Sequence, residues 1–258
     1  MVRRPTAAML LALPSLTLTA ALTVLGLDVP HARVSGVSRA LDDKVWPEAF
    51  PYSAKDLTPM DNGNDGVFYF VPKFVQHAGG ECRETLTKFY EVALPPSGTG
   101  AVLDLCSSWT SHYPADWKGE RCVALGLNYL ELIANPSKTE YKVQDLNAEP
   151  TLPFGDAEFD LITNSLSVDY MTQPLELFGE MHRVLKPGGY ACMAFTNRCF
   201  PTKVRLTFSR FPSPSILAFS RHLRSLLLPT NRCLPTKIVP IWNKPFTEAN
   251  HVQVCEVK

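Results

Sequence analysis

The sequence predicts an α/β protein, an open, mostly parallel sheet with helices layered on both faces. Three observations predict it. Five short apolar runs recur between residues 101 and 195, helix-like spans fall between them, and the runs lack the polar alternation of a half-exposed strand. Strands alternating with helices build parallel β-α-β units, whose crossovers place helices above and below the sheet. With 258 residues and 45% apolar content, the chain can bury a sizeable core.

The N-terminal segment, 1–40, reads as an address and not as part of that core. Arg3 and Arg4 precede an uncharged stretch over residues 7–27, close in length to a membrane span but diluted by Pro14, Ser15 and three threonines. A basic start, an apolar middle and an alanine-containing exit at 29–32 fit a cleaved targeting peptide. A plastid or another organelle is the expected destination. A retained membrane anchor, or entry into the secretory pathway, is the alternative.

Residues 41–100 form a lead-in and an N-terminal helix. The lead-in is rich in Asp, Pro, Asn and Gly, with DNGNDG at 61–66, and is expected to be exposed and loosely ordered. A helix is expected over 81–94, where Leu86, Phe89, Tyr90 and Ala93 share one face and Pro95-Pro96 stops it. The core then runs over 101–203, with strands expected at 101–106, 121–127, 141–146, 159–166 and 188–195. Helices are expected at 129–136 and 174–189, the second burying Leu175, Phe178, Met181, His182 and Leu185 and ending at Gly188-Gly189.

The C-terminal part contains a repeat. Thr196–Lys203, TNRCFPTK, recurs as TNRCLPTK at 230–237, and the segment 204–237 has six basic residues and no acidic one. A local duplication or translated intron foreign to the fold is the preferred reading, because the repeat brackets the segment. A basic amphipathic insertion lying on an anionic membrane is the other, which with residues 7–27 gives two places for membrane contact. In the final segment, 238–258, only 251–257 reads as a strand, so the sheet is expected to lack a complete C-terminal hairpin.

Charge and cysteine content exclude several classes. Lysine plus arginine equals aspartate plus glutamate at 25 each, but the basic residues concentrate in the two additions. Residues 41–203 and 238–258 hold 15 basic against 24 acidic residues, a net −9 that argues against nucleic acid as a partner. Seven cysteines without a C-x-x-C pair read as scattered small hydrophobes, not as a disulfide framework or a zinc site, so no metal is expected.

In open α/β sheets, ligands bind outside the carboxyl ends of the strands. Polar residues gather there: Asp104 with Cys106, Ser107 and Ser108, then Asn128 and Glu131, then Asp145 beside Leu146, then Asn164. No G-x-G-x-x-G follows the first strand, which excludes a nicotinamide dehydrogenase. The strings VLDLCSSW, GLNYLEL, LPFGDAEFD and HRVLKPGG resemble class I S-adenosylmethionine-dependent methyltransferases, more narrowly the methyltransferase-type-11-like proteins of algae, plants and cyanobacteria.

That resemblance implies a Rossmann-like fold, S-adenosylmethionine as cofactor and a small-molecule methyl acceptor. It implies that Asp104 orients the methionine end, that Asn128 or Glu131 serves the ribose, and that Asp145 and the Leu146 N–H serve the adenine. Cys106, Ser108 and Thr110 stand where the family carries glycine, whose missing side chain lets backbone approach the cofactor. Asn164, Ser165, Asp169 and Tyr170 lie near the transferring end, where the residues single out no catalytic base. His112 could approach the site, and His182 is expected in the core. The alternative is a degenerate methyltransferase fold that binds a nucleoside weakly or serves as an interaction surface.

Overall fold

The computed structural model describes residues 52–196, 200–204, 237–240 and 250–256. The expectations for 1–40, and for 204–237 apart from Val204 and Lys237, therefore lie outside the described residues. Two helices come first, α1 (Asp65–Phe68) and α2 (Gly80–Ala93). There follow β1 (Ala101–Leu105), β2 (Arg121–Gly126), α3 (Tyr129–Ala134), β3 (Glu140–Val143) and β4 (Phe159–Ser165). A 3-10 turn at Val168–Tyr170 leads to α4 (Pro174–Val184), β5 (Leu185–Thr196), β6 (Lys237–Pro240) and β7 (Asn250–Glu256).

The strands form one sheet in the order β3-β2-β1-β4-β5-β7-β6. Strands β1 to β5 pair in parallel, and β7 runs antiparallel between β5 and β6. The three-layer α/β/α expectation holds, with one correction. A C-terminal hairpin is present: β7 pairs with β5 from Tyr190↔Glu256 to Thr196↔Asn250, and β6 pairs with β7 from Lys237↔Val254 to Pro240↔His251. Strand β6 escapes prediction because Lys237 and Pro240 at its two ends weaken its β pattern, whereas its place beside β7 supplies the partner backbone.

Both faces of the sheet are covered. On one, Leu103, Leu105, Val123 and Ile162 pack with Leu177, Phe178, Met181 and Val184 of α4. On the other, Val102, Leu161 and Cys192 pack with Leu86, Phe89, Tyr90 and Ala93 of α2, the four residues expected on its inner face. Successive β1 residues thus serve opposite cores, as the pleat requires. Cys82, Cys122 and Cys192 are buried, the last two within the second of these clusters.

Three local expectations need correction. Helix α4 ends at Val184, and its buried stripe is Pro174, Leu177, Phe178, Met181 and Val184, so His182 faces solvent. Gly188-Gly189 lies inside β5, where the β4–β5 register shifts; Gly188 has φ +83°, and a side chain on Gly189 would meet the carbonyl oxygens of Lys186 and Asp160 at 2.9 and 3.0 Å. Strand β3 is exposed along its length because it forms the sheet edge, not a strand buried on both sides.

The LPF…FD and RVLKPGG strings are scaffold. The Arg183 guanidinium donates to the carbonyls of Leu152 and Phe154 and pairs with Glu180 and Asp156, clamping the loop that enters β4. Asp160 accepts from the Ala101 N–H and from Lys186, both at 2.8 Å, tying the starts of β1, β4 and β5 together.

Candidate functional site

A cleft with a cavity volume of ≈ 260 Å³ opens at the carboxyl ends of β1 to β4. Among the residues named from the sequence, Asp104, Cys106, Ser107, Ser108, Asn128, Glu131, Asp145 and Leu146 line it, whereas Asn164 does not. Asn164 is buried at the end of β4, donates to the Leu105 carbonyl at 3.4 Å, and leaves its own side-chain oxygen without a hydrogen-bond partner.

Asp104, next to last in β1, is 2% exposed and fully engaged. One carboxylate oxygen accepts from Ser107 and Ser111 hydroxyls, each at 2.6 Å, and the other from Thr163 at 2.7 Å. Asn135 donates to Ser107 and Ser111, and Tyr113 meets Thr163 at 2.5 Å, closing a buried polar network. Burial raises the Asp104 pKa, and the three hydroxyls pull it back down. Asp104 therefore holds the loop after β1.

That loop adopts a glycine-like backbone without glycine. Cys106 has φ 54°, in the left-handed region, which costs an ordinary residue roughly 1 kcal/mol. Its thiol is pushed up to about 12 by burial, with an opposing hydrogen bond from Asn164 and a further rise from the charges of Asp104, Asp145 and Asp169. Beside it the Ser107 carbonyl would lie 2.2 Å from a side chain on Gly126, so no larger residue fits at the end of β2 without displacing this loop.

The two groups at the second strand have structural partners. The Asn128 side-chain oxygen caps α3 by accepting from Leu130 and Glu131 N–H groups, and its amide donates to the carbonyls of Tyr69 and Phe70 at 2.7 and 3.0 Å. It therefore fastens the lead-in to α3. Glu131 is buried and accepts from the Lys73 N–H at 2.6 Å and the Ser108 hydroxyl at 2.5 Å, with a side chain that lines the cleft.

The third strand leaves free groups. One Asp145 oxygen accepts from the N–H groups of Asn147 and Ala148, the local turn bond open to any aspartate. The other oxygen has no hydrogen-bond partner among the described residues, nor has the Leu146 N–H. An acceptor and a donor one residue apart match the amino group and ring nitrogen along one edge of adenine.

Apart from Tyr170, one wall of the cleft escapes sequence reasoning. Asp65, Tyr69, Lys73, His77, Tyr170 and Phe200 line it, four of them from the stretch around α1. The described part of the lead-in is tied to the rest of the fold and is not a loose segment. Lys203 is 4% exposed, lies 3.1 Å from Asp61 and 3.0 Å from Asp65, and donates to the Gly63 carbonyl at 2.8 Å. Phe200 contacts Phe68, Tyr69, His77 and Tyr170. Both anchors come from the first copy of the repeat, while the last residue of the second copy, Lys237, opens β6. The available signal was that repeat together with the aromatic string VFYF at 67–70.

Two cleft-lining histidines are shifted toward the neutral form. Burial lowers His77, Glu131 partly restores it and Lys73 lowers it again. His112 falls to about 4 through burial and the nearby Arg83 and His77. A depressed histidine favours the folded state above its unfolded pKa of about 6.5, and that contribution is lost as pH falls toward the folded value. Stability is therefore expected to drop by about 2 kcal/mol between pH 6.5 and 4 on account of His112, after allowance for partial solvent screening. His112→Asn should flatten that slope in urea titrations at several pH values. Asparagine tolerates the φ of 59° at this position.

Residues 104–193 match the Methyltransf_11 family model, a methyltransferase domain. A stretch of 44 residues, 17% of the chain, is 48% identical to the biotin biosynthesis bifunctional protein BioHC of Teredinibacter turnerae, and 39 residues, 15% of the chain, are 49% identical to the malonyl-[acyl-carrier protein] O-methyltransferase of a Marinomonas species. Those stretches span 8% and 14% of the two curated relatives. An S-adenosylmethionine-dependent methyltransferase from Mesorhizobium loti is similar at 22% identity and a TM-score of 0.35, over 43% of this chain and 53% of that one.

Proposed function

We propose that the protein transfers the methyl group of S-adenosylmethionine to a small-molecule acceptor, a reading supported by the match of residues 104–193 to a methyltransferase domain. The observation that carries this reading is the pair of free groups at Asp145 and Leu146, an adenine-type edge at the mouth of a cleft bounded by strand ends. The donor set fits the cofactor at that end. Glu131, whose carboxylate already accepts from the Ser108 hydroxyl, lies where a ribose hydroxyl could exchange for that serine.

When bound, S-adenosylmethionine supplies an electrophilic methyl group on a sulfonium, which an aligned nucleophile can take without covalent help from the protein. The chain's part is placement. Asp145 and Leu146 fix the adenine end, the β1 loop held by Asp104 forms the floor, and the wall of Tyr69, Tyr170 and Phe200 screens the acceptor side from water. His77, uncharged at neutral pH, can take up an acceptor proton at an imidazole nitrogen.

Calorimetric titration of the full chain with S-adenosylmethionine tests the reading. Binding is expected, and Asp145→Asn should weaken it by about tenfold or more, because it keeps the turn-capping oxygen and replaces the free one by a donor. No heat at millimolar cofactor would overturn the reading and leave the cleft as part of a non-catalytic interaction module, a role that the saturation of Asp104 also suits.

A further inference from the structure

We propose that the acceptor is a small organic anion with a planar apolar body, held by the Lys73 ammonium against the rings of Tyr69, Tyr170 and Phe200; this rests on the methyl-transfer reading of the cleft. The charge accounting of the cleft wall points to it. Three of the cleft-lining carboxylates are committed: Glu131 to the Lys73 N–H and Ser108, Asp65 to Lys203 and to the Asn147 amide at 2.9 Å, and Asp104 to three hydroxyls.

The Lys73 ammonium, by contrast, keeps unused donors. It donates to the Phe68 carbonyl at 3.0 Å and has no carboxylate within 4.0 Å among the described residues. Its nitrogen lies 4.6 Å from the ring centre of Phe68, 4.8 Å from that of Tyr69 and 5.8 Å from that of Phe200. Those rings hold it in place and strip part of its water, so an arriving anion loses little to reorganisation and gains a charge-assisted hydrogen bond.

The same wall offers flat apolar surface. Tyr170 lies 6.1 Å from Phe200 with its plane tilted by 47°, and Tyr69 meets Phe200 nearly edge-on at 6.3 Å. A planar body can stack there while its anionic group reaches Lys73. An ammonium-bearing acceptor would meet the lysine charge at short range. The net −9 of the core does not steer anions from a distance, so the selection is local to this one cation.

The test uses the full chain saturated with S-adenosylhomocysteine, titrated by NMR with benzoate, benzamide and benzylammonium. Benzoate is expected to bind about tenfold more tightly than benzamide, with benzylammonium weakest, and the benzoate affinity alone should fall as salt is raised. Lys73→Met should bring the benzoate-to-benzamide ratio to about one while Lys73→Arg retains the preference. Benzylammonium binding as tightly as benzoate, a preference that survives Lys73→Met, salt-independent benzoate binding, or no retention of any probe at millimolar concentration would each overturn the proposal. A separate titration of S-adenosylhomocysteine alone reads the cofactor site, so its failure is distinguishable from failure of the acceptor assignment.

Discussion

Replacing Asp104 by alanine is expected to cost about 3–5 kcal/mol of folding stability, the largest effect of any single change in the cleft. The carboxylate is buried and is the shared acceptor for Ser107, Ser111 and Thr163, so its loss strands three hydroxyls at once. Asp104→Asn should cost less, since one oxygen remains and serine hydroxyls can rotate to accept from the new amide.

The pH dependence separates charge from shape. The folded pKa of Asp104 is raised by burial, so the folded state holds the proton more readily than the unfolded chain. The resulting contribution is present below the unfolded value of about 3.9 and is lost as pH rises through the folded pKa. Asparagine does not titrate, so the penalty of Asp104→Asn should shrink between pH 4 and pH 7. Urea unfolding at the two pH values measures it, and an unchanged penalty would show that the carboxylate is not carrying that proton. Cofactor affinity should fall with the alanine variant, because the β1 loop that Asp104 holds is the floor of the cleft.

The second large effect is expected at Lys203→Met, about 2–4 kcal/mol, through a different route. Lys203 is almost completely buried and ties Asp61, Gly63 and Asp65 to the segment after β5. Without it two carboxylates lose their counter-charge, and the lead-in keeps mainly the Asn128 and Phe200 contacts. The loss should be local before it is global. Hydrogen exchange around Val67–Tyr69 and proteolysis between residues 60 and 70 should accelerate well before α2 or the sheet responds. Equal acceleration throughout would mean that Lys203 supports the whole fold and not this wall.

How far the sequence alone carried the reading follows from which contacts are local. Strands β1, β2, β4 and β5 were legible because they are largely apolar on both faces, and α2 was legible because Leu86, Phe89, Tyr90 and Ala93 repeat at the helical period. The strings around Leu152 and Arg183 carried the family resemblance because they tie the sheet together, a task that restricts residue type. His182 misled: it stands next to the buried Met181, and one residue of rotation, about 100° around a helix, turns a core position outward. The hairpin was underestimated because β6 has little strand signal of its own and is specified by its neighbour β7.

The site was only partly legible. Asp104, Asn128, Glu131, Asp145 and Leu146 were found because strand ends mark ligand clefts in this class of sheet. Their partners could not be read: Asn128 closes on Tyr69 and Phe70, and Glu131 on Lys73, across about sixty positions of chain.

What the sequence by itself determined about this protein is the α/β alternation, the two-faced core and the strand ends where a ligand would sit, because periodicity and strand order are properties of neighbouring residues. Tertiary structure alone decided which polar side chains are consumed by the fold and which are left for a ligand. Hydrogen-bond capacity is a finite inventory, and whether Asp104, Glu131, Asp145 or Lys73 has any to spare depends on groups that only folding brings within 3 Å.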